Sequence, residues 1–273
     1  MLIVIPTFMR ETRQIAYNHL PKELKLQTVL VTHSGRAELL RKENPGAKVH
    51  DLGVTDGIAD VRQKIVDWAS KSNDQIFMMD DGCHFYTSVS DGEKRKIAPT
   101  AFKGQDGLKH YRSMLEDMLE HLQGHAQVGI SPRPGNNRNL NDTVSPGRVY
   151  SCCALDLVML KQMKARYDGM YQKNKQIKLF EDFYLTLHLL TRGVSNVILY
   201  NWGFMHDHGK GGGNSTIRNN DLQKLCLEAL QQEFPDYVKI VQRKATSWNV
   251  GNPEFRWECI ISWKKALTEA VNK

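Results

Sequence analysis

Gln75-Ile76-Phe77-Met78-Met79-Asp80-Asp81-Gly82 is an apolar run closed by two adjacent carboxylates and a glycine. A short apolar run bounded by turn residues reads as a buried strand, and its C-terminal end is where open α/β sheets bind ligands. Two carboxylates delivered there suit a hard cation bridging phosphates; the plainer alternative is a pair that starts a turn or caps a helix. What precedes the run decides its place. Strand patterns at residues 2–6, 28–32, 48–52 and 76–79 alternate with helical patterns at 10–18, 36–43 and 58–70, which predicts parallel βαβ units with right-handed crossovers. Four strand ends then meet in one crevice. It is lined by Pro6, Thr7 and Arg10, by His33 and Ser34, by Thr55, Asp56 and Gly57, and by Asp80 and Asp81. Polar and small residues of this kind suit a nucleotide better than an apolar ligand.

Beyond Phe85, residues 87–109 read as an excursion or hairpin, 111–122 as a helix and 126–130 as a short strand. Residues 131–139, which include Arg133 and Arg138, are dense in breakers and must form a loop. Residues 149–155 and 197–202 read as strands, and 157–166, 183–192 and 221–233 as helices. The expected fold class is α/β, with one domain over residues 1–273. Its first half is expected at 1–86 and its second at 87–273.

The 273 residues, 41% of them hydrophobic, suffice for a sizeable core. No apolar stretch approaches membrane-spanning length, and the opening Met1-Leu-Ile-Val-Ile-Pro6 run is too short for a signal-peptide core, so a cytoplasmic location without membrane attachment is expected. Five cysteines without C-x-x-C spacing argue against a disulfide framework and against a thiolate zinc site. Cys152 and Cys153 lie inside an apolar strand pattern and read as structural thiols rather than nucleophiles. A net charge of +7 is compatible with an anionic partner. Lys161, Lys164, Arg166, Lys173, Lys175 and Lys178 face a single acid, Asp168, with Tyr167 and Tyr171 between them. That run reads either as a phosphate-tracking face with stacking rings or as a solvated helix face.

Three further patterns bear on chemistry. Asp80-Asp81, Glu181-Asp182 and His206-Asp207-His208 offer oxygen and nitrogen ligands suited to Mn²⁺ or Mg²⁺ carrying a diphosphate, though each also reads as a helix start or a loop. Gly209-Lys210-Gly-Gly-Gly213 lacks the P-loop pattern and reads as a lid bringing Lys210 to phosphate, or as an inert loop. Neither a dinucleotide-binding glycine fingerprint nor a nucleophile elbow is present, which disfavours a dehydrogenase and a serine hydrolase. Metal-assisted displacement on a phosphate-activated substrate remains.

Taken in order, Ile3-Val-Ile-Pro-Thr-Phe-Met-Arg10, Gly57-Ile-Ala-Asp-Val-Arg62-Gln63, Met79-Asp80-Asp81-Gly82, Glu181-Asp182 and the His206/His208 pair resemble a GT-A fold glycosyltransferase. The resemblance implies a GT-A, Rossmann-like, mostly parallel sheet with flanking helices and a C-terminal acceptor-side elaboration. It implies donor contacts from Pro6, Thr7, Arg10, Ser34, Gly57, Arg62, Asp80 and Lys210. A metal would be held by Asp81, His206 and His208, and Asp182 beside Glu181 would act as the acceptor base.

Within that group, the compact size, basic character, Asn/Arg-rich loop and His-Asp-His-Gly preceding a glycine run resemble the phage-type TET-associated glycosyltransferases. This implies a UDP-hexose donor and, as acceptor, DNA containing a 5-hydroxymethylated pyrimidine. Backbone contacts would come from Arg133, Arg138, Lys161, Lys164, Arg166, Lys173 and Lys175. An extruded base would call on Tyr167, Tyr171 or Trp202, each of which also reads as ordinary packing. The rival readings are a GT-A transferase acting on a saccharide or lipid-linked glycan, a nucleotidyltransferase, and a basic DNA-binding module.

Overall fold

Branched and long apolar side chains at Leu2–Pro6 favour an extended chain covered on both faces, and this segment forms β1, at the centre of a parallel set. The computed structural model describes residues 1–132, 139–207, 219–244 and 254–272. With β2 (Thr28–Thr32), β3 (Lys48–Asp51) and β4 (Gln75–Met79), β1 makes the order β3-β2-β1-β4, every neighbour parallel. The crossovers are α1 (Ile15–His19) with α2 (Lys22–Lys25), then α3 (Ala37–Glu43), then α4 (Gly57–Ala69). The helix expected over residues 10–18 shrinks to α1, because Arg10 and Arg13 are held in a loop by distant carboxylates.

The chain continues through β5 (Cys83–Ser90), β6 (Arg95–Ile97), α5 (Leu108–Leu122), β7 (Gln127–Pro132), β8 (Thr143–Val144) and β9 (Cys152–Asp156). After these come α6 (Leu157–Gln162), α7 (Gly169–Lys173), α8 (Glu181–Leu190) and β10 (Asn196–His206). The ten-stranded sheet extends as β4-β9-β7-β10-β5-β6, with β8 paired to β10. It is parallel through its first four strands and mixed beyond them: β9 runs antiparallel to β4 and β7, and β5 antiparallel to β10. The division expected at residue 86 falls inside β5.

Side-chain alternation splits the buried residues into two cores. Ile3, Ile5, Phe77, Met79, Cys152 and Ala154 face one side with Tyr111 and Met114 of α5. Val4, Ile76, Met78, Cys153 and Leu155 face the other with Ile65 of α4 and Leu185 and Leu189 of α8. α8 is apolar around its whole circumference, so it needs cover on two sides. The sheet supplies one. A C-terminal unit supplies the other, built from α9 (Asn220–Glu233), the two-stranded sheet of β11 (Val238–Lys244) and β12 (Phe255–Ile261), and α10 (Trp263–Val271). Phe183, Tyr184, Leu187 and Leu190 pack there with Cys226, Leu230, Phe234 and Ala266.

Strand direction gathers the chemistry at one edge. β1, β2, β4, β7 and β10 all end there, whereas the antiparallel β5 and β9 begin there. Pro6, Asp80, Gly82, Ser151 and His206 therefore share a rim. Among the described residues no helix is long and apolar enough to cross a membrane.

Candidate active site

At that edge the Asp80-Asp81-Gly82 turn is laced to the end of β10: His206 pairs with Cys83, and the Asp207 amide donates to the Gly82 carbonyl at 2.9 Å. Asp80 Oδ2 lies 3.7 Å from His206 Nε2. Glycine at position 82 permits this, since a Cβ there would stand 2.9 Å from His206 Cε1. Asp81 is directed elsewhere. Its Oδ1 accepts from Arg10 Nη1 at 2.9 Å and the residue is buried. Burial pushes the Asp81 carboxyl up to about 6, although Arg10 pulls the other way. Asp81 was expected at the metal and Asp80 at the donor; in the structure Arg10 takes Asp81, and the carboxylate beside the imidazole is Asp80. A second ion pair, Arg13 to Asp207 at 2.7 Å, fastens the same loop.

Arg62, expected at the donor, is buried and bridges two carboxylates. From α4 its Nη2 reaches Asp80 Oδ1 at 3.3 Å and its Nη1 reaches Glu181 Oε1 at 3.0 Å, with its guanidinium also over the Tyr167 ring. Desolvation opposes the charge, but Glu181 and Asp80 outweigh it and raise the guanidinium above its ordinary value. Glu181 is engaged in this contact and stands 6% exposed. Asp182, one residue on, is half-buried and accepts its neighbour Phe183's amide on Oδ1 at 2.9 Å. The two acids of the motif therefore have different surroundings. α8 starts abruptly between them and the preceding loop, because Phe180 adopts a left-handed conformation with φ +66°.

The remaining expected residues divide. Pro6 ends β1, Ser34 is exposed past β2 with its hydroxyl 2.9 Å from His33 Nδ1, and Gly57 begins α4 with φ +82°. All three stay on the rim. Thr7, also expected at the donor, is 2% exposed and its hydroxyl donates to Gln14 at 3.1 Å. The basic run is mostly paired internally, Arg166 with Asp168 and Lys173 with Glu233, while Lys175 donates to Gln172 and covers the Tyr171 ring. Lys161 and Lys164 remain exposed. Tyr167, Tyr171 and Trp202 are all buried, and the Trp202 indole donates to Asp117, so they pack the fold rather than offer a stacking face. Arg133, Arg138, His208, Lys210 and the glycine run lie outside the described residues.

Sequence reasoning missed Lys178, which pairs with Asp56 while Tyr171 adds a hydroxyl at 3.1 Å, drawing the Asp56 carboxyl down and clamping the α4 start to the loop before α8. Its membership of the basic run was visible; its partner, 122 residues away, was not.

A carboxylate oxygen and an imidazole nitrogen on a rim suit Mn²⁺ or Mg²⁺, and the space that Gly82 leaves is what lets them approach. Among the described residues no group of three or more His, Cys, Asp or Glu gathers to hold an ion, so phosphate oxygens and water would complete the shell.

A family model described as TET-Associated Glycosyltransferase matches residues 1–214. The Beta-glucosyl-HMC-alpha-glucosyl-transferase of Enterobacteria phage T6 is 23% identical over 261 residues, covering 93% of this chain and 85% of its own. A solved mannosyltransferase from Pyrobaculum calidifontis, in complex with GDP-Man and Mn2+, superposes with a TM-score of 0.51 at 11% identity, over 86% of this chain. The chain spans 64% of that structure's length, and the likeness, with the sheet order, shows a GT-A fold.

Proposed function

We propose that this chain, which belongs to the TET-associated glycosyltransferase family and is a glycosyltransferase, moves a hexose from a nucleotide sugar to a hydroxymethylated pyrimidine in DNA. As a glycosyltransferase it releases the nucleotide, so the nucleotidyltransferase and binding-module readings lapse. The observation that carries the mechanism is the split between Glu181, locked on Arg62, and Asp182, whose carboxylate is left for an acceptor.

Asp182 takes the proton of the acceptor hydroxyl as the new C–O bond forms at the sugar's anomeric carbon and the nucleoside diphosphate departs. General-base help of this kind contributes about 10²–10⁴-fold. Attack from the face opposite the leaving group inverts the anomeric centre. Pro6, Ser34 and Gly57 hold the donor nucleotide, which we take to be UDP. Arg62 fixes the distance between the Asp80 carboxylate and the start of α8, and Arg10 and Arg13 keep the donor loop against the Asp80-Asp81-Gly82 turn. Asp80 and His206 would hold Mn²⁺ or Mg²⁺, which when bound would supply charge neutralisation for the leaving diphosphate.

The phage T6 relative's printed name describes transfer to glucosylated HMC, which favours a second reading in which the accepting hydroxyl belongs to a sugar already on the base. A UDP-release assay with unmodified, hydroxymethylcytosine and glucosyl-hydroxymethylcytosine DNA, and with a free glycan, separates the readings. Release with either modified DNA and not with unmodified DNA is expected; release with the glycan alone would sink the DNA acceptor.

A further inference from the structure

The arginines already met at this edge are engaged: Arg10 with Asp81, Arg13 with Asp207, and Arg62 with Asp80 and Glu181. Arg148 is not. Its guanidinium lies 4.3 Å from the centroid of the Tyr150 ring and 4.5 Å from that of Phe183, the residue after Asp182. Two aromatic faces thus fix a planar cation, while the residue stays exposed to solvent. Among the described residues no carboxylate pairs with it, and no carbonyl or hydroxyl accepts its N–H groups.

The backbone beneath it is equally fixed. Buried Asn196 accepts from the Gly147 amide at 2.9 Å and donates to the Gly147 carbonyl at 2.8 Å, and Val149 is buried in the core on α8's side of the sheet. Through the Phe183 ring Arg148 sits against the residue that follows Asp182, and no ion pair joins Arg148 to Asp182. The Tyr150 hydroxyl and the Cys259 thiol of β12 are each pushed up by burial to about 12, and each senses both charges, Arg148 lowering and Asp182 raising. A rigid, solvent-facing fork of donors beside the acceptor base is suited to an oxyanion carried by the acceptor.

We propose that Arg148 binds a phosphodiester group of the acceptor strand, next to the nucleotide whose hydroxyl Asp182 deprotonates. The assignment rests on the DNA-acceptor reading. It gives the enzyme a phosphate anchor outside the basic run, where most side chains are already paired. Stacking lowers the rotamer entropy lost when phosphate arrives, so one arginine here is worth more than a free surface lysine.

The test uses the full chain with Arg148→Ala, Arg148→Gln and Arg148→Lys, a hydroxymethylcytosine duplex and UDP-hexose. Arg148→Ala and Arg148→Gln are expected to raise the DNA KM about tenfold and to reduce the salt slope of DNA binding by about one, with Arg148→Lys recovering only part of the loss. The KM for UDP-hexose should move less than about twofold. A DNA KM and salt slope unchanged in both neutral variants would overturn the inference, and so would a rise confined to the donor KM, which would assign Arg148 to the diphosphate. Wild-type turnover on DNA with unmoved variants removes the inference alone. Wild-type turnover on a free glycan and on no DNA removes the acceptor reading and the anchor together.

Discussion

Glu181 and Asp182 are neighbours in sequence with opposite surroundings, and substitution should separate them. Asp182→Asn keeps the shape and the bond from Phe183's amide but removes the proton acceptor. Turnover is expected to fall at least about 100-fold with donor KM little changed, read by UDP release; near-normal turnover would end the base assignment. Arg62 predicts a different signature. Removing one member of a buried charge network strands the others, so Arg62→Met should cost on the order of 3 kcal/mol of stability, measured by denaturant unfolding. If instead stability held and only the donor KM rose, Arg62 would be a donor ligand after all.

At the scale of elements, the site depends on how α8 is seated. A Cβ added at Gly169 in α7 would lie 2.3 Å from Tyr184 Cε1, so the two helices meet only because that position is bare. Gly169→Ala should destabilise by about 1–3 kcal/mol, and pairing it with Tyr184→Ala should be clearly non-additive in denaturant midpoints. The parallel βαβ strands were legible because their apolar runs and spacing are local properties. Asp80, Glu181-Asp182 and His206 were legible as clusters, but not which carboxylate meets which partner. That is decided by the pairing of β10 with β5 and by Arg10 reaching Asp81, contacts between segments far apart in the chain. The β11–β12 hairpin and α10 went unread because their apolar residues cover α8 rather than a sheet of their own.

For the whole molecule, the family match ends at residue 214, yet the elements after it bury Phe183, Tyr184, Leu187 and Leu190. A chain cut after residue 214 should therefore expose a large apolar face and aggregate, as static light scattering would report. Acid should weaken the full chain. His19, His50 and His188 are held below their ordinary value of 6.5 chiefly by burial. The unfolded chain consequently binds more protons once the pH drops below about 6.5, so stability is full above that point and declines beneath it. Urea midpoints measured from pH 7.5 down to pH 5.5 should fall; a flat series would contradict it. Gly82 carries a consequence for recognising such proteins at a distance. Because a Cβ at this third position would stand 2.9 Å from His206 Cε1, a carboxylate completing an Asp-x-Asp signature here would require the imidazole to shift. Searches keyed to the acidic signature will pass over chains of this kind. Among relatives, a bulky residue at the position of Gly82 should travel with a smaller one at that of His206, so the two positions form a compensating pair that marks where one solution replaced the other.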